Sequence, residues 1–147
     1  MSTSHLVLVA ALIGATAAPA MAAGERGSEA DAQILLGKAV AHNTKVGTEP
    51  ALKDFSDKGG PFVDRDLYVL CEDFNGKILA HGGNPTLVGR DTKGSELTSQ
   101  FIQVASSPSG EGAVNYDWAD PVTKKVAKKT TIIKKSGQIF CGVGFFK

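Results

Sequence analysis

The run Lys58-Gly59-Gly60-Pro61 divides this chain into two kinds of pattern. Adjacent glycines followed by proline end any helix that reaches them. Before the run, Ala32, Leu35, Leu36, Ala39, Val40 and Asn43 recur at three- and four-residue steps, starting from Glu29. That spacing describes one face of a helix. Gly47 is its expected stop, and Pro50–Phe55 reads as a second, short helix with Thr48 as its cap. After the run the period falls to two. Leu67–Phe74 reads as a strand, Asn75-Gly76 as a hairpin turn and Lys77–His81 as the return strand. Gly82 to Arg90 forms a loop, and Ser95–Ala105 a short helix with Leu97, Phe101, Ile102 and Ala105 on one side. Gly110–Trp118 is a third strand, Ala119–Thr123 a turn, and Lys125–Lys135 and Gln138–Phe146 a last hairpin around Ser136-Gly137. Tight reversals favour antiparallel pairing. The expected fold is therefore α+β: a five-stranded antiparallel sheet with a long N-terminal helix on one face and room for a pocket on the other.

Leu6 to Ala18 is apolar and small, about 13 residues long. A membrane span needs roughly 20. Pro19 and the small–x–small run Ala20-Met21-Ala22 complete the pattern of a secretory signal, although Met1–His5 holds no Lys or Arg. The expectation is a signal peptide over 1–22, cleaved to leave Ala23, a flexible lead over 23–28 and one domain over 29–147. The plainer alternative is a short anchor that stays in place. With cleavage, no membrane span remains and the protein is periplasmic or secreted. In that compartment Cys71 and Cys141 become a candidate pair.

The 147 residues carry 16 Lys+Arg against 15 Asp+Glu, a balance that argues against a nucleic-acid partner. The charge is nevertheless uneven. Pro121–Lys147 holds seven lysines and no acid, which suits either a solvated, lysine-guarded strand edge or a basic face meeting anions. Catalytic signatures are missing: there is no G-x-S-x-G elbow, Walker loop or nucleotide glycine fingerprint. A Cys71–His81 pair could be a nucleophile, but Cys71 lies mid-strand in an apolar run, where thiols are inert. With His42 and His81 as the only histidines after residue 22, and no HExxH or CxxC, a metal site is not expected either. No enzyme activity and no cofactor are expected.

The segments from about Glu29 to Phe146, in their order, resemble a single Cache domain of the second type, a PAS-like extracytoplasmic sensor module of bacterial chemoreceptors and kinases that also occurs as a stand-alone secreted protein. The matching pieces are Gly60-Pro-Phe-Val-Asp-Arg-Asp-Leu-Tyr68, Asp73-Phe-Asn-Gly-Lys-Ile-Leu-Ala-His81, Asn84-Pro-Thr-Leu-Val-Gly89, Tyr116-Asp-Trp118, Asp120-Pro121, Lys129 with Ile133-Lys134, and Gly142-Val-Gly144. Three positions depart from the family pattern. Ala113 stands where an aromatic is usual, Ile132 where a Tyr is usual, and the loop after Gly89 is short. The resemblance implies a small pocket on the sheet for an organic acid or other small metabolite. Tyr116 and Trp118, two apart on a strand, point to one face. Lys129 shares it if the next strand pairs around the Ala119–Lys124 turn. Arg90 would close the pocket from its loop, and a guanidinium with an ammonium can hold a carboxylate. His81 is expected to bond a loop carbonyl or to stand at the pocket edge. The implied ligand-binding set is Tyr116, Trp118, Lys129, Arg90 and His81.

The resemblance also makes the first and last strands antiparallel neighbours. Setting Cys71 against Cys141 then places Val69 against Val143 and Leu67 against Phe145 on one face. Leu70 meets Gly142 and Tyr68 meets Gly144 on the other. A Cys71–Cys141 disulfide is expected. Function narrows to a periplasmic, non-catalytic small-molecule sensor module with a membrane receptor or kinase as protein partner. The alternative is a protein-interaction module with a degenerate pocket that docks a membrane receptor or redox partner.

Overall fold

A computed structural model describes residues 26–147. The expected signal peptide over 1–22 and the first residues of the lead lie outside the described residues.

Helix α1 (Glu29–Val46) begins where its sequence provides a reciprocal cap. The Ser28 hydroxyl accepts from the Asp31 N–H, and the Asp31 carboxylate accepts from the Ser28 N–H. It ends at Gly47, whose φ of 90° a side chain would resist. Helix α2 (Thr48–Phe55) follows at once. Its N-cap is Gly47, with no side-chain bond, so Thr48 is the first helical residue and not the cap expected of it. The two helices hold each other through His42 Nε2 and Asp54 Oδ2, 2.7 Å apart.

The strands are β1 (Val63–Asp64), β2 (Leu67–Asp73), β3 (Ile78–His81), β4 (Glu111–Ala119), β5 (Val126–Ser136) and β6 (Ile139–Phe146). All pairings are antiparallel. The main path runs β1-β2-β6-β5-β4, with β3 also on β2. The sheet thus has six strands and not five. The extra one, β1, folds onto Leu67 and Tyr68 through Arg65, a non-glycine residue at φ 58°. Its turn lacks the Asn-Gly or Asp-Gly chemistry that marks a hairpin in sequence. Asn75-Gly76 does make the β2–β3 turn, with Gly76 at φ 85° and Asp73 Oδ1 accepting from the N–H groups of Asn75 and Lys77.

The β2–β6 register runs from Val69–Val143 through Leu70–Gly142 and Cys71–Cys141 to Asp73–Ile139. Cys71 and Cys141 are joined as a disulfide. The further pairs Leu67–Phe145 and Tyr68–Gly144 lie beyond the end of this ladder. Leu67, Val69, Cys71, Cys141, Val143 and Phe145 nonetheless share one core with Leu35, Leu36, Ala51 and Phe55 of the first two helices. Helix α3 (Glu96–Ala105), capped by the Ser95 hydroxyl, packs on the opposite face with Leu70, Phe101, Val114, Ile133 and Phe140.

Of the lead expected over 23–28, residues 26–28 are described, and Arg26 and Gly27 make contacts with the domain. The Arg26 guanidinium pairs with the buried Asp120 carboxylate and lies 5.2 Å above the Phe146 ring centre. The Gly27 N–H donates to Asp66 Oδ1 at 2.7 Å, and Gly27 sits so close to Leu67 that a Cβ there would meet its side chain at 2.2 Å.

Candidate functional site

The β4–β5 register places Tyr116 opposite Lys129 and Trp118 opposite Ala127. Tyr116, Trp118 and Lys129 therefore share the α3 face of the sheet. Lys129 is only 4% exposed. Its side chain leaves β5, passes over β6 and ends against β2. Glycine at 144 opens that path, since a Cβ there would lie 2.5 Å from Lys129 Cε. Lys129 Nζ donates to Tyr68 Oη at 3.2 Å and stands 4.9 Å from the ring centres of both Tyr68 and Phe146. Among the described residues it forms no ion pair. Burial pulls its pKa down, opposed by Tyr116, Asp66 and Asp120.

This ammonium lines a cleft of about 230 Å³. Tyr68, His81, Leu87, Trp118 and Phe146 form much of the wall, with Asp66 at one side and the β4–β5 turn at another. Gly83 packs flat on the Tyr68 ring, where a Cβ would come within 2.7 Å. His81 stacks on the same ring at 4.8 Å. Its Nδ1 accepts from the Asn84 N–H at 2.9 Å, so it bonds a loop amide and not the loop carbonyl expected. Burial and the Lys129 charge push the His81 pKa down to about 4. The imidazole is neutral at neutral pH, with Nδ1 occupied as acceptor and Nε2–H left as a donor.

The remaining expected site residues fall elsewhere. Tyr116 stands behind the cleft, its hydroxyl 2.7 Å from Thr131 Oγ1, and lines a separate depression of about 500 Å³ between α3 and β4. Trp118, 46% exposed, borders both spaces. Arg90 is exposed and does not line the cleft. Its backbone carbonyl accepts from the Ile78 N–H at 2.9 Å, which holds residue 90 beside the start of β3, away from the His81 end. Ala113 and Ile132 pair with each other and line a groove of about 480 Å³ against α1. These two departures from the family pattern therefore face away from Lys129.

Sequence reasoning missed Asp66, Tyr68 and Phe146 as cleft walls. Tyr68 opposite a glycine read as a packing pair, and Asp66 gave no signal in a turn of charged residues. It also missed Glu72, further along the α3 face of β2. Glu72 is buried between Phe140 and Ile78, and its Oε2 has no partner among the described residues. Burial, with a smaller push from Asp73, raises its pKa to about 7. Among the described residues, no cluster of three or more His, Cys, Asp or Glu is arranged to hold a metal ion. No helix there is long and apolar enough to cross a membrane.

A family model described as Cache domain matches residues 50–144. No curated protein matches the chain. Among solved structures, a methyl-accepting chemotaxis protein from Vibrio parahaemolyticus aligns at 16% identity and a TM-score of 0.63, covering 80% of this chain and 86% of that one. A periplasmic sensor domain of a chemotaxis protein aligns at 18% and 0.59, covering 78% and 86%. A Cache chemosensory domain described for its carboxylic acid recognition aligns at 21% and 0.56, covering 78% and 84%. At these identities the likeness is one of fold.

Proposed function

The chain belongs to the Cache domain family, and on that premise we propose that it is a periplasmic, non-catalytic sensor module whose cleft binds a small organic acid at Lys129. The buried ammonium, which has no counter-ion among the described residues, carries this reading. A cation taken out of water and left unpaired costs free energy that an arriving carboxylate recovers. His81 Nε2–H supplies a second donor, and the rings of Tyr68, Trp118 and Phe146 supply apolar walls. Tyr116 supports this set from behind, and Arg90 stands outside it. Asp66 on the same wall disfavours a second negative charge, so the ligand carries a single carboxylate. The Cys71–Cys141 bond suits an oxidising compartment such as the periplasm. The structural neighbour described for carboxylic acid recognition shows the same fold put to that use.

The β4–β5 turn next to the cleft exposes Val122, Lys124 and Lys125. This tip is the surface offered to a membrane receptor or kinase.

Calorimetry with formate, acetate, propanoate and benzoate tests the binding reading, with fluorescence of Trp118, the single tryptophan, as a parallel signal. At least one acid should bind, and Lys129→Met should remove roughly 2–5 kcal/mol of its affinity. Absence of binding across the series, or unchanged affinity in the variant, overturns the assignment.

A further inference from the structure

We propose that β4 is an interface: it pairs antiparallel with β4 of a second copy, centred on Asn115, and joins two sheets into one. The two borders of the sheet differ in kind. On the β2 side the border is built from short pieces, β1 of two residues and β3 of four, with a register shift after Cys71. On the other side stands β4, nine residues long, paired with β5 throughout without a shift, and largely exposed. It holds no proline, lysine or arginine, the residues that commonly keep an edge strand unpaired. The Lys135 N–H donates to the Gly110 carbonyl and the Asp120 N–H to the Lys125 carbonyl, so even-numbered residues of this segment bond to β5. Odd-numbered residues therefore turn their N–H and C=O groups outward. Those of Glu111 meet the Ser109 hydroxyl, at 3.4 and 3.0 Å. Those of Ala113, Asn115 and Asp117 have no partner among the described residues.

The complement to this edge can be read from β4 itself. Centring on Asn115 uses the full length of the strand and sets outward-facing residues opposite one another, Ala113 against Asp117 and Asn115 against itself, so that each pair exchanges bonds in both directions. No like charges meet: Glu111 falls opposite Ala119. Centring on Val114 would set Glu111 against Asp117, and centring on Asp117 would set that carboxylate against its own copy, both unfavourable. Within each molecule Glu111 is already paired with Lys134 at 3.0 Å and Asp117 with Lys128 at 2.7 Å, so neither acid enters the seam unmatched. A two-fold axis normal to the sheet keeps both α3 helices on one side. On that side Val114 meets Tyr116, and the half-exposed Trp118 ring meets Gly112, which has no side chain to obstruct it. The depression of about 500 Å³ beside Tyr116 and Trp118 leaves room for this contact. Trp118 also walls the Lys129 cleft, so the seam runs beside both ligand sites.

Sedimentation equilibrium of the exported protein should show a monomer–dimer equilibrium. Asn115→Cys brings two sulfurs together at the two-fold axis, within disulfide range, and should give a cross-linked dimer in the absence of reductant. Asn75→Cys, in the β2–β3 turn at the other border, should not. Ala113 supplies a test by sign. Ala113→Glu faces Asp117 of the second copy and should weaken association about fivefold or more, whereas Ala113→Lys should associate at least as well as wild type. Both substitutions sit on an exposed position, and melting curves establish that the variants fold. A monomer at every concentration up to about 1 mM overturns the proposal. So does equal cross-linking from positions 75 and 115, or a dimer that both Ala113 variants leave unchanged, which would place the contact on another surface. Equal weakening by Glu and Lys overturns the register.

Discussion

Beneath α1 and α2 the sheet buries Leu67, Val69, Cys71, Val143 and Phe145, with no ionisable side chain among them. Beneath α3 and the loop after β3, the same strands bury Glu72, Lys129 and Thr131. Alternation along β2, β5 and β6 sends neighbouring residues to these opposite fates. The helix side gains from close packing and a covalent cross-link. The cleft side keeps polar groups whose burial opposes folding. Stability and recognition are thus divided between two faces of one sheet, so the same kind of substitution should have different consequences on each.

The largest effect belongs to the helix side. Phe55 is fully buried and meets Phe62 edge-on at 4.7 Å. Phe55→Ala should cost about 3–5 kcal/mol in urea unfolding. A loss under 1 kcal/mol would break the picture of a close-packed face. Replacing both Cys71 and Cys141 by Ser opens a link spanning 70 positions and should cost about 2–4 kcal/mol in the same assay.

On the cleft side the sign reverses and depends on pH. The Glu72 pKa is raised from 4.5 to about 7, so its favourable contribution is complete below pH 4.5 and lost as pH rises through 7. Glu72→Gln should therefore be more stable than wild type by about 2 kcal/mol at pH 8, with the gap closing toward pH 4.5. His81, with its pKa lowered, runs the other way, losing stability as pH falls from 6.5 through about 4. Both proteins share that term, so it cancels from the difference. A gap that widened toward acid pH would remove Glu72 from the account. The smallest effect is a control outside both faces. Lys128 and Asp117 pair at 2.7 Å on the exposed surface, and Lys128→Ala should shift stability by less than about 0.5 kcal/mol.

The helix side could be read almost residue by residue from the sequence. Apolar spacing at Ala32, Leu35, Leu36 and Ala39 gave the α1 face, and the Cys71–Cys141 register follows from a strand order that the family resemblance implied. The cleft was harder. Tyr116, Trp118 and Lys129 do share a face, because strand period and a tight turn are local rules. Which of them lines the cavity depends on Gly144, Gly83 and the path of the Lys129 side chain across another strand, contacts made between distant segments. Arg90 is expected at the pocket because its loop would close over the sheet, whereas the loop backbone holds residue 90 beside the start of β3. Asp66 and Glu72 give no signal because an acidic residue reads as solvated until the structure shows one of its carboxylate oxygens buried without a hydrogen-bond partner among the described residues.

The Arg26–Asp120 contact joins positions 94 apart in sequence. Mechanically, it is a load path. Displacing residue 26 therefore works against the β4–β5 turn, through a guanidinium–carboxylate clamp, as well as against the first turn of α1. The Phe146 ring stands against both the Arg26 guanidinium and the Lys129 ammonium, 5.2 Å and 4.9 Å from its centre. Linkage is reciprocal, so any molecule that repositions the rim at Trp118 or Asp120 changes the work needed to displace residue 26 by the same amount that displacing residue 26 changes its affinity.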